Sequence, residues 1–274
     1  MSRVLFLIRV SRPILWPVLP LVYYLGLHAA REPLSAAAMV QMLSLALPMN
    51  LIGCGLNDIY DYASDLRSAR RRKIWGAVVA EADRPLVWRA CLAMVPLVVG
   101  GALATRNGFN VAATFGLVLV AWAYSVPPVR LKERPPLDSL ANGLGFFLLP
   151  FAMGYSLGAD PLAMPLKYYL LALSVCGIHA LASAADYKAD KAAGHRTLAV
   201  AFGRRAAAAF ALATFLIAVV VGDYQGMAVR VYLAAGTGAT LVATLVPRDW
   251  AIHASCVTIF VGFLVAAVCH VVGW

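Results

Sequence analysis

Residues 57–73 read NDIYDYASDLRSARRRK, and the reading of this stretch decides both the fold and the site. Asp58, Asp61 and Asp65, three of the chain's 13 acidic residues, fall within eight positions. They follow directly on the apolar run AAAMVQMLSLALPMNLIGCGL, which is long enough to lie in a membrane. Offsets of three, four and seven residues put the three carboxylates on one face of a helix, and Asn57 shares that face. On insertion scales each carboxylate at bilayer depth costs roughly 2.5–3.5 kcal/mol. Such a cluster implies a compensating cation or a polar cavity. Carboxylate and amide oxygens suit hard Mg²⁺, which keeps waters or phosphate oxygens in its other positions. The expectation is a metal–phosphate site at the membrane surface.

Composition agrees with a membrane setting. Of 274 residues, 62% are hydrophobic and only 13% charged, with a mean hydropathy of +0.79; a soluble domain carries about 25% charged residues. A formal net charge of +10 could signal nucleic acid, but the basic residues sit in short loops between apolar spans, where topology requires them. Nucleic-acid binding is set aside on that ground. The five cysteines lie in apolar segments without a CxxC pair and read as small buried hydrophobes. The segment SRVLFLIRVSRP has three arginines and no small-residue cleavage site before the next span. It reads as a cytoplasmic amphipathic leader rather than a secretory signal.

About nine apolar segments follow, near 13–30, 36–57, 86–104, 108–124, 138–158, 166–186, 205–222, 227–246 and 250–272. Each approaches the roughly 20 residues that a spanning helix needs. The fold class is therefore an all-α polytopic membrane protein, one domain over 1–274. It divides into two partly similar helix sets, about 1–124 and 138–246, plus a final span. Nineteen of the 23 Lys and Arg residues fall on the side that holds the N-terminus. That side is predicted to be cytoplasmic in the cell membrane, with the C-terminus opposite. The same side carries the longest loops, so the chemistry is expected there.

The sixth span ends in ALASAADYKAD, which sets Asp186 and Asp190 one helical turn apart. This echoes the end of the second span, and sites often form between such repeats. The two carboxylate clusters, together with Arg70, Arg71, Arg72, Arg130, Lys132 and Arg134, make a coherent set. Carboxylates would hold Mg²⁺, the metal would bridge a diphosphate, and the cations would neutralise the remaining oxygens. Lys188, between the two aspartates, joins the diphosphate-binding set. Such a site stabilises diphosphate as a leaving group, in a water-poor cavity that a helix bundle supplies. His179, two turns before Asp186, is expected to be a hydrogen-bonded core residue.

With NDxxDxxxD at 57–65, DxxxD at 186–190 and YSVPPVRLKERP at 124–135, the chain resembles the UbiA superfamily of intramembrane prenyltransferases. The resemblance implies a nine-helix bundle around a central cavity and two Mg²⁺ ions carrying an isoprenyl diphosphate. It assigns Asn57, Asp58, Asp61, Asp65, Asp186 and Asp190 to the metal, with Asp61, Asp65, Asp186, Asp190 and Tyr124 as the catalytic set. Tyr124, Arg130 and Lys132 match the conserved loop that contacts diphosphate and closes over the site. NDIYDYASDLRSARRRKIWGAVV followed by RLKERPPLDSLANGLGFFLLPF is similar to the lycopene elongases. That branch adds a five-carbon dimethylallyl unit to each end of the carotenoid.

An alkene acceptor needs no carboxylate anchor, only aromatic walls to steady a carbocation. Trp16, Tyr23, Tyr24, Trp122, Phe146, Phe147, Phe151, Tyr155, Tyr168 and Tyr169 are candidates. A quinone precursor, a glycerol-phosphate lipid or a chlorophyllide are alternative acceptors, and terpene cyclisation needs none. A cation transporter is the alternative of a different class. It would place acids near span centres, whereas both clusters here sit at span ends.

Overall fold

A computed structural model describes residues 2–66 and 76–272, without the side chains of Ala63 and Ser64. All the regular secondary structure among the described residues is helical, with no strand among them. Among the described residues eight helices are long and apolar enough to cross a membrane, or nine if the bent pair near the N-terminus is counted as one span. The expected count of about nine is met, and the fold is all-α and polytopic. The spans keep only 28–61% of their apolar windows buried, so large side chains such as Leu97, Leu119 and Val265 face outward, as lipid-facing residues do.

The chain forms two compact units, Met1–Arg130 with Leu149–Ala163, and Leu131–Leu148 with Met164–Trp274. In the first, α1 (Arg3–Val10) is followed by a short 3₁₀ turn (Pro13–Leu15) and α2 (Val18–Ala29). The pair bends by 45° at the break. The expected first span at 13–30 is thus a 3₁₀ turn plus a helix, because prolines 13 and 17 lack the amide protons that would carry one helix through. Next come α3 (Ala36–Leu45) and α4 (Leu47–Tyr60), which meet at Ala46. A short α5 (Tyr62–Asp65), then α6 (Arg84–Ala104) and α7 (Gly108–Ser125), continue the unit.

The second unit opens with a 3₁₀ turn (Leu131–Glu133), α8 (Leu137–Gly143) and a π-helical turn (Leu144–Leu148). α9 (Leu149–Tyr155) belongs to the first unit and packs on α2. There Gly26 lies against the Phe151 carbonyl and Gly154 against the Tyr23 carbonyl. A methyl at either position would collide with backbone, so only glycine allows this approach.

The second unit continues with α10 (Leu166–Ala193), α11 (Leu198–Phe202), α12 (Arg204–Val221), α13 (Met227–Leu245) and α14 (Asp249–Val271). α10 packs against α12, with Gly177 set on Ala211 and Thr214. Its core holds Leu181, Phe215, Tyr232, Leu233 and Ile252. α10 runs beyond the expected end at 186 until Gly194, whose φ of +79° stops it in the left-handed region. Asp186 and Asp190 therefore both stand within its last two turns. Cys54, Cys91 and Cys176 are buried in helices, as expected of small apolar residues.

Candidate active site

The first acidic motif is less regular than its spacing implies. α4 ends at Tyr60, and Asp61 leaves the helical region with φ −106° and ψ 9° before α5 begins. The single helical face expected across 57–65 is broken at Asp61. The turn resumes at once, since the Asp65 amide donates to the Asp61 carbonyl at 2.9 Å.

All three aspartates are buried, Asp58 at 0%, Asp65 at 2% and Asp61 at 7% exposure. Ionised carboxylates at that depth need a cation close by. Asp58 forms an ion pair with Arg12, a residue the sequence marked only as part of the basic N-terminal side. Arg12 sits in the break between α1 and the first 3₁₀ turn, with a left-handed φ of 52°. Ser11 fixes that corner, donating to the Ile8 carbonyl at 2.7 Å and accepting from the Trp16 indole at 3.0 Å. Gly76, at φ +129°, closes over the pair; a side chain there would begin within 3.3 Å of the Arg12 Nε and 3.5 Å of an Asp58 oxygen. Asn57 is half-buried on α4, its amide 3.5 Å from Asp58.

Asp61 faces a second cation, the Arg130 guanidinium at 3.7 Å. Arg130 also donates to the Tyr60 carbonyl at 3.4 Å and lies over the Tyr60 ring, 6.0 Å from its centroid. It too adopts a left-handed φ, 39°. Tyr124 is in the last turn of α7, six residues before Arg130. In the first unit Arg12 thus stands against Asp58 and Arg130 against Asp61. Arg70, with Arg71 and Arg72, lies outside the described residues.

In the second unit Lys132 is 5% exposed at the middle of the 131–133 turn. Asp186 and Asp190 are half-buried on α10, and the Thr197 hydroxyl reaches an Asp190 oxygen at 3.5 Å. Lys188 points elsewhere: it is 77% exposed and donates to Asp249 at 2.7 Å. Two residues along a helix are about 200° apart, so Lys188 cannot share the face of both aspartates, and its expected diphosphate contact does not follow from this geometry. His179 is hydrogen-bonded as expected, its Nδ1 3.2 Å from the Ser139 hydroxyl.

Sequence reading missed Arg12, Gly76, Glu133, His195 and Asp138. Glu133 meets His195 at 2.7 Å, and the fully buried Asp138 accepts from the amides of Ser139 at 2.7 Å and Leu198 at 2.8 Å. A proline-flanked arginine at a span end was a usable signal for Arg12; the other pairs join residues about 60 apart with no local pattern.

As donors, the aspartates offer hard oxygens only, the chemistry that Mg²⁺ takes, and Asp58 and Asp61 each already face a positive charge. In donor chemistry they fit a divalent ion. Among the described residues no three His, Cys, Asp or Glu side chains yet gather around one point.

The model of the UbiA prenyltransferase family matches residues 14–255, nearly the whole of this membrane-embedded chain. The chain belongs to the UbiA prenyltransferase family. Among UbiA-type relatives, the lycopene elongase/hydratase of Halobacterium salinarum is 33% identical over 81% of this chain and 79% of its own length. A C(50) beta-cyclic carotenoids biosynthesis protein of Dietzia is 30% identical over 77% of this chain; the chain spans about half of that protein's length, 49%. A UbiA homolog from Archaeoglobus fulgidus, solved with DMAPP and Mg²⁺ bound, shares the fold with a TM-score of 0.68, at 22% identity, over 96% of this chain and 99% of its own.

Proposed function

We propose that this prenyltransferase transfers an isoprenyl group from an allylic diphosphate, dimethylallyl diphosphate first among them, to a hydrophobic lipid acceptor, lycopene. The observation that carries the reading is the buried pair of carboxylates, Asp58 on Arg12 and Asp61 on Arg130, at the end of a membrane span. Relatives named as lycopene elongase/hydratases direct the choice of acceptor.

Two Mg²⁺ ions, held by Asn57, Asp58, Asp61 and Asp65 and by Asp186 and Asp190, would supply the charge that makes diphosphate a good leaving group. Arg130 and Lys132 bind and orient the diphosphate oxygens, and Tyr124 closes beside them. Heterolysis of the C1–O bond leaves both electrons with diphosphate. C1 then bonds to a terminal alkene carbon of the acceptor, and the tertiary cation so formed is discharged by losing a proton or adding water. Apolar walls exclude water until that step. The basic loops and these residues belong on the cytoplasmic face, with the chain acting as one catalytic domain.

The test is diphosphate release from dimethylallyl diphosphate by purified protein, with and without lycopene, and with Mg²⁺ or chelator. Release that needs both, with a carotenoid heavier by C5 units, is the expected result. Turnover only with longer prenyl diphosphates or with aromatic, glycerol-phosphate or chlorophyllide acceptors would replace the lycopene assignment. Folded protein that consumes no prenyl diphosphate would overturn the enzyme reading.

A further inference from the structure

The geometry points to Glu133 and His195 as positioning residues for Lys132, a clasp that holds the diphosphate-binding turn on the end of α10. The inference rests on the reading of Lys132 as a diphosphate contact.

Lys132 is a long, flexible side chain whose aim depends on the turn that carries it. That turn, Leu131–Glu133, is only three residues long, with the Arg134 amide donating to the Leu131 carbonyl at 2.9 Å. Yet Lys132 is 5% exposed, so its site is specified from outside the turn.

The outside anchor is the neighbouring residue. The Glu133 Oε1 lies 2.7 Å from His195 Nδ1, with the imidazole 10% and the carboxylate 31% exposed. An ionised carboxylate only accepts, so Nδ1 carries the proton. His195 is itself fixed to α10, since its backbone amide donates to the Asp190 carbonyl at 3.0 Å. Gly194 supplies the left-handed corner that brings it there.

Five residues on, the same stretch is tied down again. Asp138 accepts from the Leu198 amide at 2.8 Å, three residues beyond His195. Two short stretches, 131–138 and 194–198, are therefore joined at two points. Asp190 and Lys132 lie at the same end of that double tie. The clasp sets the position of the lysine relative to the acidic pair on α10, which is what recognition of one diphosphate by both requires.

The experiment measures KM for dimethylallyl diphosphate, kcat and the inhibition constant of inorganic diphosphate. It compares wild type with Glu133→Ala, His195→Ala, Glu133→Gln and Lys132→Ala, and each clasp variant is also made on Lys132→Ala. Glu133→Ala and His195→Ala should each raise KM and the inhibition constant about fivefold to twentyfold, with kcat changed less than about threefold. Glu133→Gln keeps an amide oxygen for Nδ1–H and should recover most of the loss. On Lys132→Ala the clasp variants should add nothing, because the group they position is gone. Clasp variants that match wild type while Lys132→Ala raises KM would overturn this inference alone, as would losses that add to Lys132→Ala. Unchanged KM in Lys132→Ala would overturn the reading of the lysine itself. Glu133→Gln, the least disruptive change, keeps the test open if an alanine variant is retained poorly in the membrane.

Discussion

The ends of α4 and α10 carry similar acidic motifs in different physical states. At α4 the aspartates are buried, the helix breaks at Asp61, and Arg12 and Arg130 stand against two of them. At α10 the helix runs unbroken to Ala193, and Asp186 and Asp190 are only half-buried. A buried carboxylate is part of the stability of its unit, because removing one partner of a buried pair strands the other charge. A half-exposed one can serve a ligand without holding the fold together. Similar spacing in the sequence therefore does not mean similar duty.

The largest expected break in that comparison is Asp58→Ala. Arg12 would be left buried without its carboxylate, at a cost of about 3–5 kcal/mol, read as a drop in thermal midpoint of detergent-purified protein and in membrane yield. Arg12→Met, which removes the charge while keeping bulk, should behave similarly, and an unchanged midpoint in both would make the two acidic ends equivalent after all.

Asp61→Asn and Asp190→Asn sharpen the contrast. Both should lower turnover by about a thousandfold or more, as expected when a preorganised charge at the leaving group is lost. Asp61→Asn should also shift the thermal midpoint, because its partner Arg130 is mostly buried, and the shift should exceed that of Asp190→Asn, whose carboxylate is only half-buried. Matching shifts in the two variants would erase the distinction.

The smallest effect is expected at Lys188. Its partner Asp249 also takes Arg204 at 2.6 Å, and the pair is solvent-exposed. Lys188→Ala should leave turnover and midpoint near wild type, within about twofold in rate. A large rise in KM for the diphosphate would return this lysine to the site.

Much of the fold was legible because membrane spans are set by local composition and length. Eight of the nine expected apolar runs match helices to within a few residues at most ends, and charge placement marks the loops. The exceptions are where special backbone or distant partners intervene. The extension of α10 to 193 follows from Gly194, which sits past a polar stretch that hydropathy alone cuts short. The break at Asp61 and the π-helical turn at 144–148 leave no mark in the residue pattern.

The site was legible as a set of residue types, less so as a set of contacts. Helical periodicity alone sets Lys188, two residues from each aspartate, on a different face of α10 from theirs. No local pattern could have joined Arg12 to Asp58 across 46 positions, or Glu133 to His195. Such pairs are products of packing.

The contact between α2 and α9 also bears on how the chain is made. α9 lies more than a hundred residues after α2, and the unit they share is closed only when the stretch to Ala163 has been synthesised. Leu131–Leu148, which belong to the other unit, are made before that point. At about 5–20 residues per second, roughly 6 to 24 seconds separate the emergence of Ala29 from that of Phe151. During that interval the glycine face of α2 waits without the helix that covers it. The two units are consequently interleaved in time as well as in sequence, and neither can be finished before the other has begun.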